Sequence, residues 1–210
     1  MKQKMKTTIL TAIFLMALLF SGNNGFAQCK TVVWPDNPEL KAKVEESKVL
    51  YEDALKGGQY KQAEIPLNWL LVTVPNLHNS IYINGAEVFD KLAGLEKDPA
   101  RKQVYIDSLL IIYDLRIKIC GEEPTVTNRK ALSFLKYNLQ SKPEEALALM
   151  DKAFELNGNN VMDGSLLPYM QAVKVNKQKV KKLTDDQVIE RYDRVMNVLD
   201  AKIKKAQSEG

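Results

Sequence analysis

The chain has one histidine, His78, and two cysteines, Cys29 and Cys120, in 210 residues. With a single histidine and no CxxC pair, a metal site has little to build on, and no metal ligand or cofactor is assigned. His78 lies in Pro75-Asn76-Leu77-His78-Asn79-Ser80. No glycine elbow surrounds Ser80, and a lone loop histidine lacks the orienting partners that nucleophilic chemistry needs. Ser80 suits the start of a helix equally well. Carboxylates are adjacent at Glu45-Glu46, Glu122-Glu123, Glu144-Glu145 and Asp185-Asp186. Neighbouring helical residues point to different faces, so these pairs are poorly placed to flank one scissile bond. Gly57-Gly58 is not followed by Lys-Ser/Thr and makes no phosphate cradle. No catalytic residue is assigned, and the chain is expected not to be an enzyme.

Long hydrophobic runs are also missing. The longest, Ile9 to Phe20, is broken by Thr11 and falls short of the roughly 20 residues that span a bilayer. Lys2, Lys4 and Lys6 precede it, and Gly25 and Ala27 stand three and one before a cut after Ala27. Residues 1–27 therefore read as a secretory signal peptide, with the exported chain beginning at Gln28. Lipid attachment at Cys29 is disfavoured because Gln28 stands where a small residue is wanted. The expected location is periplasmic or secreted, with no transmembrane segment after cleavage. Removing the leader takes three of the 30 basic residues and none of the 26 acidic ones, leaving a nearly neutral chain. Such a balance offers no electrostatic footprint for nucleic acid. The one basic cluster, Lys174 to Lys182, is expected to be a solvated connection rather than a site for an anionic lipid or polymer. In an exported chain the even cysteine count favours a Cys29–Cys120 disulfide, a metal site being the poorer alternative.

What the sequence does contain is helix punctuation. Asn37-Pro38 and Asp98-Pro99 each place a capping residue before a proline at the first helical position. The expected helices run from about Pro38 to Lys56, Lys61 to Val74 and Pro99 to Cys120, with Gly57-Gly58, Pro75 and Gly121 as stops. Ser141 with Glu144 and Thr184 with Gln187 have capping-box spacing and open helices to about Leu156 and Gln207. The Pro99–Cys120 helix carries Val104, Leu109, Ile111, Ile112, Leu115 and Ile119, which predicts burial around much of its circumference. Thr31 to Pro35 reads as an extended strap, because Pro35 restricts Trp34. The expected organisation is a signal peptide over 1–27, a strap over 28–37 and one all-α domain over 38–210.

Self-similarity runs through the helices. Gly58-x-Tyr60-x-x-Ala63 is followed by Pro75, and Tyr137, Ala146, Ala153 and Gly158 repeat that logic. Gly85 lies one 34-residue step after Tyr51, although 49 residues then separate it from Phe134. Over about residues 40–175 this pattern resembles the tetratricopeptide repeat, in which small residues bring paired antiparallel helices together. The resemblance implies helical hairpins stacked as a short right-handed α-solenoid, with first helices lining a concave groove for an extended peptide. Carried over by position, the groove-facing places include Asn79, Tyr82, Phe89, Asn128, Leu135 and Asn138, with Tyr169 continuing the row. The alternative for Tyr82, Phe89 and Leu135 is ordinary interhelix core. The family's carboxylate clamp is not expected, since Glu52, Ile83 and Leu132 stand where its asparagines and arginine belong. The functional expectation is an exported scaffold or adaptor holding a protein or peptide partner in the bacterial envelope. The alternatives are a small-ligand carrier or enzyme with an interhelical pocket, and a spacer subunit of a larger complex. A C-terminal helix with Val188, Tyr192, Val195, Val198, Leu199 and Ile203 in one stripe would suit that spacer or a homodimer.

Overall fold

Two cap-then-proline pairs set the first boundaries. Leu40 N–H donates to Asn37 Oδ1 at 2.8 Å, and Arg101 N–H donates to Asp98 Oδ1 at 2.8 Å. Each bond satisfies a free amide of a first turn, where proline costs nothing. The computed structural model describes residues 29–209, so the signal peptide expected over 1–27 lies outside the described residues. Among the described residues there are eight α-helices and no strand. They are α1 (Pro38–Lys56), α2 (Tyr60–Thr73), α3 (Ser80–Leu95), α4 (Pro99–Cys120), α5 (Glu123–Asn138), α6 (Pro143–Asn157), α7 (Leu166–Val175) and α8 (Asp185–Glu209). None is long and apolar enough to cross a membrane.

Packing is concentrated between consecutive helices, giving hairpins α1–α2, α3–α4 and α5–α6 across short connections. Gly85 marks a close approach of helices. A Cβ there would lie 3.0 Å from Ile112 Cδ1 and 3.7 Å from Leu67 Cδ2, so α2, α3 and α4 converge on its bare backbone. The core falls into two clusters that share α5. One gathers Cys29, Tyr51, Leu67, Leu70, Tyr82, Leu109 and Val126; the other gathers Ala131, Met150, Phe154, Tyr169, Val195 and Val198. Fully burying a leucine such as Leu67 or Leu70 contributes about 2 kcal/mol.

Several expectations need correction. Helix α4 is not apolar all round: Leu109 and Ile112 are buried, but Val104 is 60% and Ile111 55% exposed, and its buried face includes Arg116. The capping box at Ser141 does not form. Pro143 takes the first helical position and Lys142 the cap, so the Ser141 hydroxyl donates back to the Asn138 carbonyl instead. Pro168, which interrupts the carried-over repeat, falls in the first turn of α7 and is accommodated there. The box at Thr184 forms reciprocally, with Gln187 N–H on Thr184 Oγ1 and Thr184 N–H on Gln187 Oε1.

Cys29 and Cys120 are bonded, with Cα atoms 5.2 Å apart. The strap is fixed by this bond and by its backbone. Val33 N–H donates to Leu77 O, and Asn79 N–H donates to Cys29 O, both at 2.8 Å. Its apolar side chains contribute little, because Val32, Val33 and Trp34 are all exposed.

Candidate functional site

The residues that open onto solvent between hairpins are polar and charged. Helix α3 turns Ile83, Ala86, Glu87 and Asp90 to one side, and α5 answers with Thr125, Arg129, Leu132, Ser133 and Lys136. Both sets follow helical spacing, so each is one stripe. Tyr113 and Arg116 of α4 form the floor, and the groove so bounded holds about 450 Å³.

Four polar side-chain pairs fix its shape. The Tyr113 and Ser133 hydroxyls lie 3.1 Å apart and tie floor to wall. Burial raises the Tyr113 pKa above the ordinary phenol value, so it remains a neutral hydroxyl. At one end Lys136 Nζ donates to both Asp90 oxygens at 2.8 Å, and the Tyr137 hydroxyl donates to Asp90 Oδ1 at 2.8 Å. At the other, Arg116 is 6% exposed, and its Nε and Nη2 donate to Glu122 Oε2 at 3.0 and 2.7 Å.

The α4–α5 connection makes that second contact available. Gly121 has φ 75° and ends α4, and Glu122 follows with φ 61°. A left-handed glutamate is unfavourable by itself. Here it turns the carboxylate back onto the guanidinium of the preceding helix. Arg129, one helical turn beyond Thr125, is exposed and forms no ion pair among the described residues. Among the described residues the groove therefore offers one guanidinium without an ion pair, a hydroxyl pair, the apolar Ile83 and Leu132, and the exposed carboxylate of Glu87. Nothing in this lining is a histidine or cysteine. Among the described residues no group of His, Cys, Asp or Glu is placed to hold a metal ion.

The residues carried over by position lie elsewhere. Tyr82, Phe89, Asn128, Leu135, Asn138 and Tyr169 are buried in the core, and Asn79 sits half-buried at the start of α3. Tyr82 donates to the Pro75 carbonyl at 2.9 Å, and Asn128 Oδ1 accepts from Ser165 Oγ at 2.6 Å. Tyr169 donates to Asp151, which also takes Arg191 Nε and Nη2 at 3.1 and 2.7 Å. As placed, these six side chains hold helices together and cannot meet a partner without rearrangement. The groove is lined instead by the residue after several of them: Ile83 after Tyr82, Asp90 after Phe89, Arg129 after Asn128 and Lys136 after Leu135. One residue is about 100° of helix rotation, enough to turn a core position into a groove position. In the sequence Ile83 and Leu132 stand out only as misfits to the carboxylate clamp, and Arg116 and Arg129 carry no signal.

His78 is half-buried, its Nδ1 accepting from Ser80 N–H at 3.2 Å just before α3. The basic cluster is largely engaged within the chain. Lys177 meets Leu183 O and Asp185, Lys179 meets Gln140 and Lys182 meets Glu144. No protein-family model matches the sequence, and comparison with curated proteins gives no match.

Proposed function

We propose that the chain is an exported, tetratricopeptide-like scaffold of the bacterial envelope, and that the α3–α4–α5 groove holds an extended segment of a protein partner. In this reading the hairpins stack as a short right-handed α-solenoid, and Gly85 permits the close approach the repeat requires. One observation carries the reading. Arg129, exposed and without an ion pair among the described residues, lines the groove with Ile83 and Leu132, and the floor's own arginine is already neutralised by Glu122. A free planar cation beside apolar side chains and hydroxyls suits a peptide, presenting backbone carbonyls or a carboxylate together with an apolar residue. A small-ligand carrier fits less well, since such pockets are lined predominantly by apolar side chains.

The test is site-directed photocrosslinking in the native envelope. A crosslinking residue at Leu132 should yield one discrete adduct that is lost when Arg129→Glu is added. The same residue at Val72, 83% exposed on α2, should not yield it. Equal adduct patterns at Leu132 and Val72, or an adduct indifferent to Arg129→Glu, would remove the groove from consideration.

A further inference from the structure

Helix α8 is the longest helix among the described residues, and much of its length faces outward. Its packed face carries Val195 and Val198, both buried, and is fastened by Arg191 on Asp151 and Lys202 on Asp163. The expected single stripe is thereby divided, because those two valines belong to the core. The outward face has its own apolar row: Ile189, Tyr192, Met196, Leu199 and Ile203, spaced alternately three and four residues apart. Ile189 is 55%, Tyr192 51% and Ile203 46% exposed, with Leu199 at 37% and Met196 partly buried, so most of the row is left open among the described residues. This is the spacing of a helix-pairing seam, about 21 Å long at 1.5 Å per residue.

What covers it follows from charge. Asp186, Asp193 and Asp200 recur every seventh residue along the side of the seam away from the packed valines. All three are exposed, and none forms an ion pair among the described residues. A second copy is a poor occupant. Paired antiparallel about Met196, it would set Asp193 against its own Asp200; paired parallel, the row would meet Val188 and Val195 and find no cation. An anionic membrane surface would be repelled by the same row.

We propose that the open face of α8 docks an amphipathic helix of a partner protein, one whose apolar seam is flanked by lysine or arginine. The apolar rows interdigitate, and the basic flank meets Asp186, Asp193 and Asp200. Because Asp151 and Asp163 fix the back of α8, the strip is held in place before the partner arrives. This proposal does not rest on the groove.

The probes are three synthetic helical peptides, titrated by fluorescence anisotropy against the whole exported chain. One has a leucine seam with lysine flanks, one the same seam with glutamate flanks, and one lysine flanks with the seam changed to serine. The first should bind, and the other two should bind at least about tenfold more weakly. The triple variant D186K/D193K/D200K should invert the preference between the two leucine peptides. Ile189→Ser with Ile203→Ser should weaken the first peptide without altering charge. These positions are exposed, so circular dichroism should confirm folded variants, and the peptide comparison needs no variant at all. Equal binding of the two leucine peptides, equal binding of the serine peptide, or no binding would overturn the proposal. So would a dimer in sedimentation that Ile203→Ser dissociates, which would make a second copy the occupant.

Discussion

Removing the Glu122 carboxylate isolates the contact that forms one end of the groove. Arg116 is nearly buried with side-chain exposure 8%, and Glu122 is partly buried at 28%. Breaking a buried pair by deleting one partner costs about 3–5 kcal/mol. Arg116 lines the groove, so water reaches part of the stranded guanidinium, and about 2 kcal/mol is the expected loss for Glu122→Ala. Glu122→Gly should lose only about 1 kcal/mol, because glycine relieves the left-handed backbone at φ 61°. Arg116→Met removes the buried charge and leaves the partly exposed Glu122 carboxylate to water, so it should cost within about 1 kcal/mol. In that background Glu122→Ala should cost almost nothing, giving a coupling of about 2 kcal/mol in the double-mutant cycle. Urea unfolding followed by circular dichroism measures all four proteins, and added salt should change the coupling little. Additive losses, with coupling under about 0.5 kcal/mol, would refute the claim that Glu122 is held left-handed to neutralise Arg116.

The Cys29–Cys120 bond spans 91 residues, and in the loop-entropy account its loss costs at most about 4.6 kcal/mol. Cys29→Ser with Cys120→Ser should therefore lower the melting temperature by roughly ten degrees, matched by reduced wild type. Hydrogen exchange at Val33 and Asn79 should quicken first. Gly85→Ala should change stability by less than about 1 kcal/mol, since Ile112 Cδ1 can yield and helix propensity improves. Gly85→Leu should lose about 3 kcal/mol by overpacking where α2, α3 and α4 meet, read by thermal melting. Burial pushes the Tyr51 and Tyr82 hydroxyls up to about 12, against about 10 unfolded. The folded state should accordingly keep its full stability below pH 10 and lose it as pH rises toward 12. Phenolate absorbance at those two sites should appear only together with the loss of helix. Asp151→Asn should free α8, weakening both the Arg191 contact and the Tyr169 hydrogen bond, seen as faster exchange along α8 before the rest.

Helix boundaries set by local chemistry were legible. Asn37, Asp98, Thr184 and Gly121 act through atoms within a few residues of themselves, and each does what its neighbours imply. Ser141 misled because a second local rule competed: Pro143 two residues on is a stronger start signal, and it moved the cap to Lys142. The breadth of α4's buried face was not legible from apolar count. Which side packs is decided by its neighbours, and the buried Arg116 is acceptable only because of a backbone turn at Gly121 and Glu122.

The groove shows where sequence reading reaches its limit. A repeat register accurate to one residue still leaves about 100° of helix rotation undetermined. Hydrophobicity then points to the core-facing side, since Tyr82, Phe89 and Leu135 are apolar because they are core. The groove-lining positions on α3 and α5 include the polar ones beside them, Glu87, Arg129 and Lys136, and polar residues on a helix ordinarily signify only solvent. What separates Arg129 from any surface arginine is that it lines a groove yet forms no ion pair among the described residues, while Arg116 and Lys136 of the same lining each have one. That distinction is tertiary. Supplying the missing counter-charge within the chain by Leu132→Glu should therefore occupy Arg129 and abolish peptide capture while leaving the fold intact. Capture that survives Leu132→Glu unchanged would mean that the free guanidinium does not hold the partner.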